Sequence, residues 1–234
     1  MALRIGVLAV QGAVSEHLDA VRRAAARLGL EVETVPVRTA ADLKGVRGLI
    51  LPGGESTAIS RLLRSGGLQE PVVERARRGD LALFGTCAGM ILLATRATHD
   101  VEDKDIRLLG LLDVEVDRNA FGRQRESFEA ELDVEGIGRI PAVFIRAPVA
   151  VSAWAPTQVL ARHERGIVAV RKGRILATAF HPELTGDTRL HEWFLRLADD
   201  ARTSESPRKG RTPATPRPSP SKAGRPRGRA SARP

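Results

Sequence analysis

The chain has 234 residues, 42% hydrophobic and only 3% aromatic, with no tyrosine, which suits one α/β domain and argues against a protein that reads nucleic acid by aromatic stacking. No apolar run is long enough to span a bilayer, Met1–Arg4 opens no signal-peptide pattern, and one cysteine excludes both an internal disulfide and Cys-based structural zinc, so the expected setting is cytoplasmic. The net charge of +9 belongs to the last 34 residues: of 37 Lys and Arg and 28 acids, ten and one fall in 201–234, leaving 27 of each in residues 1–200.

Leu3–Val10 is a nearly continuous apolar run, the pattern of a parallel strand covered on both faces. Ser15–Leu28 has helical spacing through Leu18, Val21, Ala25 and Leu28, with Gly29 as its stop. Glu31–Val37 and Gly48–Leu51 read as strands, Ser56–Ser65 and Glu70–Arg78 as helices, Leu81–Phe84 as a strand and Ala88–Thr95 as a helix. This βαβ rhythm predicts a doubly wound, mostly parallel sheet. The second half changes to short strands at Gly110–Val116, Ser127–Leu132, Ala142–Arg146, Gln158–His163, Ile167–Arg171 and Ile175–Phe180, which add antiparallel strands or form a flanking sheet. A last helix spans Asp187–Leu197. Residues 201–234 hold seven of the fourteen prolines and, beside them, no apolar side chain but alanine; that composition predicts a disordered basic tail after a domain of residues 1–200. Its reading is a polyanion or membrane-surface tether, or a dispensable solubilising extension.

Chemistry concentrates at strand ends, where open α/β sheets bind ligands. Gly85-Thr86-Cys87-Ala88-Gly89 is the cysteine form of a nucleophile elbow, and the following helix N-terminus favours a thiolate. Among five histidines, His17 and His191 sit in helices beside charged residues and read as solvated. His99 lies in a polar loop and His163 at a hairpin. His181 ends an apolar strand and is followed by Pro182-Glu183; in an extended segment residues two apart share a side, so Glu183 can orient His181 as base for Cys87. The Gly53-Gly54 turn offers unobstructed backbone N–H groups which, with that of Ala88, are candidates for an oxyanion hole. A phosphate loop is the competing reading of that turn, but it lacks the P-loop lysine and spacing. Arg118 and Arg146 are credible clamps for a carboxylate, or ordinary surface ion pairs.

Together these residues resemble the class I, triad-type glutamine amidotransferases, and more narrowly the glutaminase subunits of pyridoxal 5′-phosphate synthase. The likeness is carried by Val10-Gln11-Gly12-Ala13 with Glu16-His17, by LPGGEST at 51–57, FGTCAG at 84–89, RNAFGRQ at 118–124, SFEA at 127–130, FIRAP at 144–148 and FHPELT at 180–185. It runs from about Leu3 to Ala198, and residues 201–234 fall outside it. The resemblance implies a flavodoxin-like fold and hydrolysis of L-glutamine to glutamate and ammonia by Cys87, His181 and Glu183. It further implies substrate contacts at Gly54, Glu55, Ser56, Arg118, Ile145 and Arg146, and a partner contact around Gln11. The implied partner is a (β/α)8 synthase subunit within a large hetero-oligomer. That subunit would take up the ammonia, and its docking would complete the oxyanion hole. No metal or bound cofactor is implied; pyridoxal phosphate would be the product of the pair. The residues alone also admit a glutaminase serving a different synthase, or a cysteine hydrolase or peptidase on a similar sheet.

Overall fold

The computed structural model describes residues 2–98, 105–118, 120 and 127–203. Its first half alternates: β1 (Leu3–Leu8), α1 (Val14–Leu28), β2 (Val32–Val37), β3 (Gly48–Leu51), α2 (Ser56–Ser65), α3 (Gln69–Arg78), β4 (Ala82–Thr86) and α4 (Ala88–Leu93). Every residue of β3 and β4 is buried, which is why these segments are continuous apolar runs rather than alternating ones. As predicted, α1 stops where Gly29 takes a left-handed conformation (φ 63°).

One predicted helix is too long. α4 ends at Leu93, and Ala94–Ala97 form β5 instead. Here pairing wins over helical continuation: β5 runs parallel to β6 (Leu112–Asp117), and the Thr95 hydroxyl donates to the Leu112 carbonyl at 2.7 Å. The chain then makes β7 (Phe128–Val134), β8 (Gly138–Phe144), β9 (Val149–Ala153), β10 (Gln158–His163), β11 (Gly166–Lys172), β12 (Ile175–Thr178), a 3₁₀ turn at Pro182–Leu184 and α5 (Arg189–Thr203). The sequence pattern did not reveal β9, a short strand between Pro148 and Trp154.

The main sheet has the order β2-β1-β3-β4-β12-β11-β9-β6-β5, with β10 also paired to β11. From β2 to β12 the strands are parallel, in the 2-1-3-4-5 order of flavodoxin-like folds with β12 as the fifth strand. Beyond β12 the pairing turns antiparallel through β11 and β9, while β7 and β8 form a separate hairpin. Both placements foreseen for the extra strands therefore occur. Helices α1 and α5 pack together against β1, β3 and β4; α4, with α2 on it, packs against β3, β4 and β12. The central strands are thus dry on both faces, and their carboxyl ends are held in fixed register.

Among the described residues no helix is long and apolar enough to cross a membrane. α5 continues to Thr203, past both the predicted helix end at Leu197 and the domain boundary at residue 200. The remainder of the predicted tail, residues 204–234, lies outside the described residues.

Candidate active site

Three adjacent parallel strands, β3, β4 and β12, end at the same edge, and each delivers one part of the site. Cys87 follows β4 and takes φ 48° and ψ −105°. Such a conformation costs a non-glycine residue about 1–3 kcal/mol and persists only when its surroundings impose it. They do so here: the Cys87 N–H donates to the Thr178 carbonyl of β12 at 2.8 Å, and strand and helix approach so closely that only glycines fit on either side. A Cβ on Gly85 would lie 2.7 Å from the Gly89 carbonyl, and one on Gly89 would overlap the Leu51 carbonyl. This is the strained elbow that the Gly-x-Cys-x-Gly spacing predicts.

His181 is 7% and Glu183 4% exposed. His181 Nδ1 lies 2.8 Å from Glu183 Oε1, and the ring borders the same cleft as Cys87. The pairing of His181 with Glu183 occurs, though not through an extended chain. Pro182–Leu184 form a 3₁₀ turn that swings Glu183 back under the ring, Pro182 supplying the φ that a helical first turn needs. Burial disfavours charge on His181, yet its hydrogen bond to Glu183 and the charges of Glu183 and nearby Cys87 outweigh that and raise its pKa to about 10. With the Glu183 carboxylate at Nδ1 and Cys87 on the same cleft, its surroundings favour the protonated ring.

The β3 turn closes the site from the other side. Gly53 lies against the imidazole: a Cβ there would overlap His181 Cε1 and sit 3.3 Å from Cys87 Cβ. The Gly53 N–H donates to Thr86 Oγ1 at 3.0 Å, and its carbonyl accepts from the Ala13 N–H at 3.2 Å. Gln11 Oε1 accepts from the Glu55 N–H at 2.8 Å. Glu55 caps α2 by accepting from the Thr57 and Ala58 N–H groups and pairs with Arg118 at 3.0 Å. Burial works against its charge, but those donors and Arg118 hold its carboxyl below the usual range. Arg118 Nη1 and the buried Ser56 Oγ have no hydrogen-bond partner among the described residues. Ile145 and Arg146 follow β8, Arg146 at φ 44°, and the Ile145 carbonyl lies 3.9 Å from the Cys87 sulfur.

These parts meet at one cleft of about 380 Å3. Gln11, Gly53, Gly54, Glu55, Ser56, Cys87, Ala88, Arg118, Ile145, Arg146 and His181 all line it; Glu183 stands behind His181. Of the RNAFGRQ run only Arg118 and Ala120 fall within the described residues. Among the described residues no cluster of His, Cys, Asp and Glu could hold a metal ion.

Residues 7–200 match the model of the SNO glutamine amidotransferase family. The chain belongs to that family. It is 54% identical over 198 residues to the pyridoxal 5′-phosphate synthase subunit PdxT of Methanoregula boonei, covering 83% of this chain and 98% of that one. It is 51% identical over 194 residues to the PdxT subunit of Thermus thermophilus, covering 83% and 97%. A crystal structure of a glutamine amidotransferase superposes with a TM-score of 0.73 at 49% identity, over 83% of this chain and 98% of that one.

Within this amidotransferase-family chain, two histidines differ from the solvated reading their charged neighbours suggest. His17 and His191 are not solvated: each is 0% exposed. His17 faces inward with Ala20, Val21 and Ala24 on α1, and His191 with Leu190, Phe194 and Ala198 on α5. The helical period of those apolar neighbours carries the signal; the adjacent charges that suggested solvent belong to the opposite faces. His17 Nε2 lies 3.0 Å from Thr86 Oγ1 and 3.4 Å from Glu183 Oε1. Thr86, also 0% exposed, was not foreseen either: it links His17 to the Gly53 N–H.

Proposed function

We propose that this chain hydrolyses L-glutamine and passes the ammonia to the barrel subunit of pyridoxal 5′-phosphate synthase, in the cytoplasm. The observation that carries the reading is the hydrogen-bonded His181–Glu183 pair at the cleft that Cys87 enters from a strained elbow. The PdxT relatives support the choice of partner.

In this reading the Cys87 sulfur attacks the side-chain carboxamide carbon of glutamine. His181 gives its proton to the departing nitrogen, and ammonia leaves as the thioester forms. Water then attacks the thioester with His181 as base, releasing glutamate and restoring the thiol. Glu183 holds the ring in one tautomer and balances its charge. Arg118, beside Glu55 at the cleft, takes the substrate α-carboxylate; Gly54, Ser56, Ile145 and Arg146 complete its seat. The Ala88 N–H is one oxyanion donor. The second must come from the Gly53–Gly54 turn, whose first N–H is occupied by Thr86. Because the Gly53 carbonyl is tied to Ala13, two residues from Gln11, a partner docking around Gln11 can turn that peptide and complete the hole.

The test is glutamine hydrolysis by the full chain, with and without the barrel synthase, for wild type and Cys87→Ala. Strong, Cys87-dependent stimulation is expected. Activity indifferent to this synthase would point to another partner, and a Cys87→Ala protein with wild-type activity would refute the triad.

A further inference from the structure

The buried histidine pair behind the triad has no part in the chemistry above. Removing two imidazoles from water is costly unless their polar atoms are used. Here they form a line: His191 Nε2 is 3.2 Å from His17 Nδ1, and His17 Nε2 reaches Thr86 Oγ1 and Glu183 Oε1 at 3.0 and 3.4 Å. Oε1 is also the oxygen that accepts from His181, whereas Glu183 Oε2 has no hydrogen-bond partner among the described residues. The carboxylate decides the tautomers. A lone pair on His17 Nε2 would face an anion, so that nitrogen carries the proton; Nδ1 then accepts from His191 Nε2–H. The atom left without a partner is His191 Nδ1, an acceptor, which is cheaper to bury than an N–H.

We infer that His17, backed by His191, is a positioning residue of the triad: its Nε2–H steadies both the Glu183 oxygen that orients His181 and the Thr86 hydroxyl that receives the Gly53 N–H. This rests on the triad reading. The charge state agrees with it. Burial first, then His191 and His181, hold His17 well below the ordinary imidazole pKa, and burial with Arg23 lowers His191 to about 3. Neither ring therefore competes with His181 for a proton, and the carboxylate's charge stays directed at the catalytic ring.

The experiment compares full-length wild type, Cys87→Ala, His17→Leu, His17→Gln and His191→Phe, saturated with the barrel synthase. In His17→Leu, kcat for glutamine falls about tenfold or more while KM stays within about twofold, the loss expected for one hydrogen bond to a charged group. His17→Gln, whose amide N–H can stand where Nε2–H stood, recovers most of the rate, and His191→Phe shows a smaller loss. A second readout needs neither partner nor turnover: the His181 Nδ1–H proton resonance of the free chain stays downfield in wild type and His17→Gln, and moves upfield in His17→Leu. A folded His17→Leu with wild-type kcat and an unmoved His181 signal overturns the inference. So does a His17→Gln as impaired as His17→Leu, which would make the role packing alone. Should Cys87→Ala keep full activity, the triad reading fails, and the His181 signal still decides whether His17 positions the ring.

Discussion

His191→Phe should change how the stability of this protein responds to acid. The ring is fully buried with its pKa lowered from 6.5 to about 3, burial being the larger cause and the Arg23 cation the smaller. In the native state it is therefore neutral over the whole moderately acid range, while in the unfolded chain it binds a proton below about pH 6.5. The unfolded state then holds more protons, so the stability due to His191 is complete above 6.5 and is lost as pH falls towards 3. At pH 5.5 the unfolded histidine is about 90% charged and the native one is not; relative to pH 7.5 the lost stability is about 1.4 kcal/mol, with a similar amount for each further pH unit. Two neighbours titrate as well. His17 shifts the same way, whereas His181, raised to about 10, keeps its proton natively and contributes stability that is full below 6.5 and fades as pH rises through 10. The whole-protein slope mixes all three, so the informative quantity is the difference between wild type and His191→Phe. Phenylalanine keeps the packing against Phe84, whose ring centroid lies 5.5 Å away, and any constant cost of the change cancels. Urea unfolding of both proteins at several pH values should show wild type losing about 1.4 kcal/mol relative to the variant between pH 7.5 and 5.5. Parallel curves would mean that His191 is not a buried neutral ring, and the tautomer argument for His17 would fall with it.

Gly53→Ala places a methyl group against His181 Cε1 and Cys87 Cβ; since an error of ~1 Å in aligning reacting groups can cost ~100-fold, kcat should drop by about that factor, and steady-state hydrolysis by a folded variant measures it. Arg118→Ala should raise KM for glutamine about tenfold or more with little change in kcat, while thermal melting stays nearly constant, because the Glu55–Arg118 pair is partly exposed and such pairs stabilise by only about 0–1 kcal/mol. Removing residues 204–234 should leave partner-stimulated glutamine hydrolysis unchanged, because the family match ends at residue 200; loss of stimulation in the same assay would give the basic tail a role in docking.

The strand ends were the legible part of this sequence. Gly85 and Gly89 around Cys87 announced a close crossing that the structure contains, and the continuous apolar runs announced a parallel sheet buried on both faces. His-Pro-Glu announced a paired histidine and carboxylate, although proximity comes from a 3₁₀ turn that i, i+2 reasoning in an extended chain does not describe. What stayed hidden depends on distant segments. β5 exists because β6 is there to pair with it, and Thr95 would otherwise extend a helix. The burial of His17 and His191 follows from packing between α1 and α5, 174 positions apart at the contact. Local charge at Glu16 and Asp19 masked the apolar face that His17 shares.

The Cys87 N–H bond to the Thr178 carbonyl has a consequence for how such a protein can diversify. Cys87 and His181 emerge from two neighbouring strands whose offset is locked by ladder bonds, Thr178 facing Thr86 across β12 and β4. Their spacing is therefore inherited from the backbone, with β8 as a third hold where the His181 N–H donates to the Val143 carbonyl at 2.8 Å, and owes little to the far edge of the sheet. Strands at the far edge, β5, β6 and β9, can be lengthened, replaced or adapted to a new client without moving Cys87 against His181, whereas β8 cannot. A graft intended to transplant this arrangement would have to carry those two strands and β8 as one piece.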